Sequence, residues 1–348
     1  MVYRSGSVKA GIAGEDAPFA VFPTLVGEPK QQIAMQGVEM RASYVGNEAL
    51  AKRGVLNVHR PIEHGTVTDW NSMEMIWEHT FNQQLRLEPS LHPVLLTEGP
   101  LSPKSGKERA LEIMFESFHS PAVYMQQTAC LALYASGRTT GLVLESGDGV
   151  THAVPVYEGF AVLQRQLKAE GLQLESSAEL EIVRDIKEKL CYVALDHESE
   201  CQKPIQDVQA DYTLPDGSII TVGQARFEAA EAIFDPRRML EMEDEYGGIC
   251  GMATRSINAS EIDLRGSLAR NVVLAGGNTM TTNFSNRVKR ELQGTLSSEV
   301  QVYAPPERQY SAWIGGSILG SLSSFSSMAV NKDEYDEEGA AVIHRKCF

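Results

Sequence analysis

No stretch of this 348-residue chain approaches the roughly 18 consecutive apolar residues of a membrane-spanning helix. Cysteine is scarce as well: the five residues are widely spaced and form no Cys-x-x-Cys pair, which indicates a reducing compartment. Positive charge is in short supply, with 31 Lys and Arg against 46 Asp and Glu. The resulting charge of −15 repels phosphate backbones and anionic lipid, so we expect no nucleic-acid partner and no membrane insertion.

The chain also lacks an apolar leader after Met1, which predicts a cytosolic or nuclear protein. Hydrophobic residues make up 43% and charged residues 22%, as in globular proteins. At about 150 residues per domain, the length predicts two domains.

Three apolar runs each end in a turn of small residues, a pattern typical of strands that bring a backbone loop to a ligand. The runs and their turns are residues 1–9 with Ser5-Gly6-Ser7 (the first turn), 141–144 with 145–149 (the second turn), and 271–274 with 275–279 (the third turn). The second turn is followed by an alternating return strand over 150–157. The first two runs therefore share the order strand, turn, strand, which indicates an internal duplication.

Helical patterns lie between the turns, and strands that alternate with helices argue for an α/β fold. The clearest pattern is residues 178–195, where Val183 and Ile186 fall on one face. Two stretches, 27–44 and 235–248, are polar or charged and are predicted as surface loops. Further helices are predicted over residues 108–118, 123–134 and 313–325.

Glycine-rich turns at strand ends suit phosphate groups, because backbone N–H groups can converge there without obstruction by Cβ atoms. The second turn adds two carboxylates, Glu145 and Asp148, which could hold Mg²⁺ through its water shell. Taken alone, each glycine turn is more often an ordinary tight turn, and the acidic pair is also typical of a solvated turn.

Several longer segments together resemble the actin family nearly from end to end. They are KAGIAGEDAP (residues 9–18), PIEHG (61–65), YASGRTTG (134–141), SGDGVTH (146–152), EIVRDIKEKL (181–190), WIGGS (313–317) and HRKCF (344–348). The resemblance implies an α/β actin-like ATPase fold, with two duplicated ribonuclease-H-like lobes around a nucleotide cleft. One lobe would comprise residues 1–135 and 311–348, with 24–60 as a subdomain, and the other residues 136–310.

The resemblance further implies ATP or ADP with Mg²⁺ or Ca²⁺, other actin or actin-like subunits as partners, and a cytoplasmic, cytoskeletal location. Glu145 and Asp148 would lie near the cation, and Asp148, His152 and Thr128 match catalytic positions. The residues that match nucleotide contacts are Ser5, Gly6, Lys9, Gly147, Asp148, Gly149, Val150, Arg184, Lys187, Glu188, Gly276, Gly277 and Met280.

A groove that accepts amphipathic helices of actin-binding proteins is also implied by the resemblance. The alternative is that these residues are simply core. The positions that match the groove include Tyr134, Ile318, Leu319, Leu322 and Met328.

Departures from the family pattern concentrate at the positions that match the cation, the phosphates and the attacking water. Val2 stands where a carboxylate helps to hold the cation's water shell, and Arg4 replaces a glycine. Thr128 stands where a glutamine positions the attacking water, and Glu145 replaces an aspartate, whereas His152 is retained. The side chain of Thr128 is shorter than glutamine and carries no amide, so hydrolysis is expected to be impaired.

Other departures concern the length of the chain and its surface loops. Compared with the family, the chain begins inside the first strand and is much shorter between Phe160 and Ala178, where a core strand is expected. The loop of residues 29–44 carries Glu39, and the stretch 235–248 is acidic, so repulsion between like subunits is expected to weaken assembly.

The leading interpretation is a divergent actin that binds an adenine nucleotide, hydrolyses it weakly and assembles into filaments or a larger complex. A conventional actin with active ATP hydrolysis and polymer turnover is the alternative. A third reading is a product that does not fold into a functional subunit.

Overall fold

The computed structural model describes residues 1–30, 41–63, 65–99, 102–148, 151–152, 177–237 and 247–347. The chain divides into two compact units. Unit 1 comprises Met1–Thr139, Gly147–Gly149 and Gln309–Phe348, and unit 2 comprises Thr140–Ser146 and Val150–Arg308.

Short strands and helices alternate along both units. The strands are β1 Val2–Tyr3, β2 Ser7–Ala10, β3 Ala20–Pro23, β4 Val26–Pro29, β5 Tyr44–Val45, β6 Leu56–His59, β7 Ile62–Glu63, β8 Thr66–Val67, β9 Val94–Glu98, β10 Ala122–Gln127, β11 Leu142–Ser146, β12 Thr151–His152, β13 Ala210–Thr213, β14 Ile219–Val222, β15 Val272–Ala275, β16 Val302–Tyr303 and β17 Val330–Asn331. The α-helices are α1 Asn47–Ala51, α2 Trp70–Glu78, α3 Lys104–Glu116, α4 Thr128–Ala135, α5 Ser177–Leu190, α6 His197–Cys201, α7 Ile205–Val208, α8 Ala225–Glu231, α9 Gly248–Ala259, α10 Ile262–Ala269, α11 Phe284–Thr295, α12 Ser311–Gly320, α13 Phe325–Met328, α14 Lys332–Glu338 and α15 Ile343–Lys346.

Unit 1 is built on an antiparallel sheet, β1-β2-β3, and a mixed sheet, β17-β10-β9, in which β9 and β10 run parallel. Parallel neighbours need a crossover, and α3 supplies it. The core of this unit contains Trp77, Phe115 and Met125, each at most 1% exposed. Smaller sheets, β5-β4-β6 and β7-β8, complete the unit.

The helix predicted over residues 123–134 is wrong in its first half. Residues 122–127 form β10, and the helix begins only at Thr128. Val123, Tyr124 and Met125 are all buried in the middle strand of a sheet, so the apolar run that suggested a helix face is a strand covered on both sides.

Unit 2 is built on the four-stranded sheet β12-β11-β15-β16, in which β11, β15 and β16 are parallel. β15 is buried along its whole length, as expected for a strand covered on both faces. The hairpin β13-β14 packs against α5, whose Val183 and Ile186 are fully buried. This confirms the predicted apolar face of that helix.

The same helix ends at Leu190, five residues before the predicted end at 195. Beyond it the chain is extended, because Tyr192 pairs with Thr282 and Val193 N donates to Thr282 O at 2.9 Å. Val193 is therefore buried as part of this extended segment and not on the helix.

Two further predicted helices exist with different bounds. The helix predicted over 108–118 spans Lys104–Glu116. The helix predicted over 313–325 spans Ser311–Gly320 and is followed by a separate short helix, Phe325–Met328. The prediction of a loop over residues 27–44 is wrong for residues 27–29, which belong to β4 and pair with β6.

Three predictions fall largely outside the described residues. Residues 31–40, with Glu39, the segment 153–176 and residues 238–246 are not described. The interpretation of the first loop, of the shortened segment and of the acidic stretch therefore stays a prediction.

The predicted internal duplication is confirmed in the registers of two hairpins. In unit 1, β1 pairs with β2 through Val2 with Lys9 and Tyr3 with Val8. In unit 2, β11 pairs with β12 through Glu145 with His152 and Ser146 with Thr151. The paired residues are equally spaced along the chain in both hairpins, so Val2 and Glu145 occupy equivalent positions.

Candidate functional site

The first turn and the tip of the second lie against each other in unit 1. A Cβ atom placed on Gly6 would lie 2.7 Å from Asp148 Cβ, so only glycine permits this approach. Arg60 joins the two: its Nη1 donates to Ser5 O at 2.8 Å and lies 3.7 Å from Asp148 Oδ2. The structure therefore brings together Ser5, Gly6 and Asp148.

The first turn also holds a polar atom without a partner. Ser5 is 6% exposed, and its Oγ has no hydrogen-bond partner among the residues that the structure describes. Lys9, at the end of the same hairpin, donates from Nζ to Ser7 Oγ at 2.8 Å. A buried hydroxyl, a glycine backbone and a nearby ammonium group fit the oxygens of a phosphate.

The third turn follows the buried end of β15 in unit 2. Gly276 has φ 91°, and a Cβ atom there would lie 2.3 Å from Ser146 O, so this position requires glycine. The turn is closed by Gly276 N, which donates to Arg308 O at 3.1 Å, and by Arg308 Nη2, which donates to Thr279 O at 2.7 Å. Burial lowers the pKa of the Arg308 guanidinium.

A chain of hydrogen bonds connects this turn to the end of β11 and to α5. Asn278 Nδ2 donates to Ser146 Oγ at 3.1 Å, and Lys187 Nζ donates to Asn278 Oδ1 at 3.1 Å. Parallel strands β11 and β15 are neighbours, so their carboxyl ends meet at one edge of the sheet. Lys187 and the third turn are thereby brought together.

The other residues that match nucleotide contacts on these elements are partly accessible. Arg184 is half-buried on α5, whereas Glu188 is exposed on the same helix. Met280, which follows the third turn, is 36% exposed, and Gly277 is exposed as well. Gly149 and Val150 lie outside the described residues, and so does the side chain of His152.

Three of the positions that depart from the family pattern are buried, whereas Arg4 is partly exposed. Thr128 is the first residue of α4 and is 2% exposed. Val2 and Glu145, the equivalent residues of the two hairpins, are each 2% exposed. The side chain of a valine offers no oxygen to a cation or to a water molecule. Of the two equivalent positions, the one that Val2 occupies therefore cannot hold the cation or its water shell.

The described residues supply no cluster of direct ligands for the divalent cation, which the sequence predicts to be held through its water shell. Mg²⁺ and Ca²⁺ take oxygen ligands, directly or through water, and carboxylates are the preferred ones. Within the described ranges no three His, Cys, Asp or Glu side chains are grouped to hold a metal ion. Asp148, the accessible carboxylate of the predicted pair, faces Arg60.

Sequence reasoning did not identify two residues of this arrangement. Arg60 follows β6, more than fifty positions from Ser5, and no local pattern marks it. Asn278 stands inside the third turn, where an asparagine after two glycines is a usual turn residue and does not by itself indicate a link to Ser146.

The residues that match the partner groove all lie in unit 1 and differ in exposure. Ile318 is 46% and Leu322 is 48% exposed, whereas Leu319 is 8% exposed and belongs to the core. Tyr134 and Met328 are partly buried against the same core. No described helix is long and apolar enough to cross a membrane.

The structure has two α/β units, two equivalent strand–turn–strand hairpins and glycine turns at the ends of strands. These features are typical of an ATPase fold built from two duplicated halves. A family model described as actin matches residues 4–170 and 163–348. The chain therefore belongs to the actin family, and its two units carry the actin-like two-lobe ATPase fold. Members of this family generally bind ATP or ADP with a divalent cation.

Proposed function

We propose that this chain is a divergent actin: it binds an adenine nucleotide, hydrolyses it slowly and assembles into filaments or a larger complex with other actin or actin-like subunits in the cytoplasmic cytoskeleton. The single observation that carries the proposal is the buried Thr128 at the start of α4, where the family pattern requires a glutamine.

Nucleotide binding is supported by backbone geometry. Gly6 and Gly276 are positions where a side chain would collide with Asp148 or Ser146, and Ser5 Oγ is a buried hydroxyl without a described partner. Backbone N–H groups of such turns can bind phosphate oxygens without the help of a particular side chain. We place Ser5, Gly6, Lys9 and Asp148 on the phosphates.

Slow hydrolysis is expected from the side chain at position 128. In-line attack on a terminal phosphate needs a positioned water and stabilisation of charge, with little covalent chemistry. Thr128 is 2% exposed, and its side chain is shorter than that of glutamine, so its hydroxyl cannot orient water at the same distance. Loss of one positioned donor typically costs about 2.7–4 kcal/mol, or a hundredfold to a thousandfold in rate.

The test is single-turnover phosphate release by the purified full chain, with bound nucleotide quantified separately. We expect slow release by the wild type and faster release by the double variant Val2→Asp with Thr128→Gln. Thr128→Val, which keeps the size of threonine, is the matched control and should change little. Release by the wild type at a rate typical of conventional actin would overturn the proposal and establish the alternative.

The charge of the chain predicts weak self-association, and the groove supports binding of a helical partner. The net charge of −15 opposes association of like subunits, so polymer formation should increase as salt rises above about 0.15 M. Sedimentation that finds abundant polymer at low salt would contradict this. An amphipathic helical peptide should bind near Ile318 and Leu322, both exposed apolar residues.

The groove assignment is tested with Leu322→Asp, which should abolish binding of such a peptide. Leu91, 72% exposed in the same unit and outside the groove, provides the control variant Leu91→Asp. Equal binding by both folded variants would show that the groove is assigned wrongly.

A further inference from the structure

A cavity of about 330 Å³ lies at the carboxyl end of β9, within unit 1. Its lining includes Tyr3 of β1, Trp70 of α2, Glu98 of β9, Lys107 of α3 and Met125 of β10. Pockets for small molecules have volumes of about 300–1,000 Å³ and combine apolar and aromatic walls with a few polar groups. This cavity has that composition and a volume at the lower end of that range.

Glu98 is a buried carboxylate whose hydrogen-bonding capacity is unused. Its side chain is 4% exposed, and Lys107 Nζ lies 2.6 Å from its Oε1. The same ammonium group donates to Cys347 O at 3.3 Å, and neither oxygen of Glu98 accepts a well-aligned hydrogen bond from the residues that the structure describes. Burial of an ion pair is favourable only where further hydrogen bonds satisfy its remaining lone pairs. Glu98 therefore needs a donor that the described residues do not supply.

The charges around the cavity favour an uncharged ligand. Lys107 already neutralises Glu98, and Arg109, the other charged residue of the lining, pairs with Glu112 at 2.9 Å. A cationic ligand would compete with Lys107, and an anionic one would meet the carboxylate. Burial and the charge of Glu98 raise the pKa of the Tyr3 hydroxyl, which therefore stays protonated and adds a neutral polar group to the lining.

We propose that this cavity binds a small uncharged heteroaromatic molecule that donates an N–H group to Glu98. Trp70 and Met125 pack against its ring, because aromatic rings make favourable contacts with indole and thioether groups. A dry cavity of about 150 Å³ holds benzene, so about 330 Å³ admits two fused rings. Binding here requires no nucleotide, and the inference therefore goes beyond the proposed function.

The experiment is an NMR titration of the purified full chain with benzimidazole at neutral pH, where this two-ring probe is uncharged and carries one N–H donor. We expect a Kd of about 0.1–1 mM, as is usual for a ligand of this size. N-methylbenzimidazole has the same rings without the donor, so it should bind about tenfold more weakly. Saturating ATP should not displace the probe.

Glu98→Gln keeps the shape of the side chain and removes the charge of the acceptor, so it should weaken binding of benzimidazole about tenfold. Glu231→Gln is the matched control, because it makes the same change at another buried carboxylate, paired with Arg287 at 2.7 Å in unit 2. It should leave the affinity for the probe unchanged.

Each contrary outcome overturns the inference. Absence of wild-type binding up to about 10 mM benzimidazole would show that the cavity holds only water. Equal affinities for the two probes would show that no N–H group is recognised, and displacement by ATP would show that the probe binds at the nucleotide site. These three comparisons need no variant, so they decide the question even where Glu98→Gln does not fold. Binding by folded Glu98→Gln equal to the wild type would also overturn it.

Discussion

Gly6→Ala tests whether the close approach of the first and second turns forms the nucleotide site. The added Cβ would lie 2.7 Å from Asp148 Cβ and 3.2 Å from Asp148 Cγ and Oδ2. Carbon atoms in contact prefer about 3.5–4.0 Å, so the turns must separate by about 1 Å. Gly6 is not among the glycines with positive φ, so the backbone itself accepts alanine and the effect is steric.

Overpacking of this kind costs about 1–3 kcal/mol of unfolding free energy. Misplacement of binding groups by about 1 Å can cost about a hundredfold in function. We therefore expect Gly6→Ala to remain folded and to bind ATP or ADP about tenfold to a hundredfold more weakly. The assay is calorimetric titration, with unfolding in urea recorded on the same samples.

Gly54→Ala is the matched control, because nothing lies within 4 Å of its Cβ position and its φ is not positive. It should change neither affinity nor stability by much. If Gly6→Ala binds nucleotide as the wild type does, the contact between the two turns is not part of the site and the reasoning fails.

Three further predictions concern stability and thiol chemistry. Glu231→Gln should lower the unfolding free energy in urea by about 1.5–3 kcal/mol, because it weakens the bidentate pair with the largely buried Arg287 guanidinium, which keeps Glu291 as a second partner. A loss no larger than that of Glu261→Gln at an exposed position would contradict this. Asp69 caps α2, and the hydrogen bond that it accepts from the Ser72 side chain lowers the pKa of its carboxyl group. The ionised carboxylate therefore stabilises the fold at pH values above its unfolded-state pKa. This stabilisation is lost as pH falls through the folded-state pKa. Asp69→Ala should cost about 1 kcal/mol at neutral pH, whereas Asp69→Asn should keep the cap and reduce the loss of stability in acid; an unchanged pH dependence would refute this. Cys201 is exposed, whereas burial raises the pKa of Cys191 to about 12, so alkylation followed by mass spectrometry should modify Cys201 first; earlier modification of Cys191 in the folded protein would refute the assignment.

The three turns could be predicted from sequence because their signal is local. An apolar run followed by Ser-Gly or Gly-Gly fixes both a strand and the place where its backbone must turn. The bonds that join the turns could not be predicted in the same way. Arg60 and Ser5 are 55 positions apart, and Asn278 and Ser146 are 132 apart, so only the folded sheet order brings them together.

The error over residues 123–134 has a different cause. An apolar run of about six residues fits a buried strand and a buried helix equally well, and periodicity cannot separate them. What decides is the neighbour: β9 pairs in parallel with residues 123–127, and the helix starts where that pairing ends at Gln127. Long amphipathic α5 was predicted more reliably because its polar face fixes the period.

We propose that the changes at this site weaken chemistry and leave binding intact. Glycine turns bind phosphate through backbone N–H groups and through the space that a missing Cβ leaves, and those features are present at Gly6 and Gly276. Cation and water positioning depend on side-chain oxygens, and the equivalent positions Val2 and Glu145 depart from the family pattern together with Thr128. Backbone-based recognition of phosphate therefore does not require the side chains that hydrolysis requires. A chain altered in this way should hold a nucleotide as a structural element and turn it over slowly.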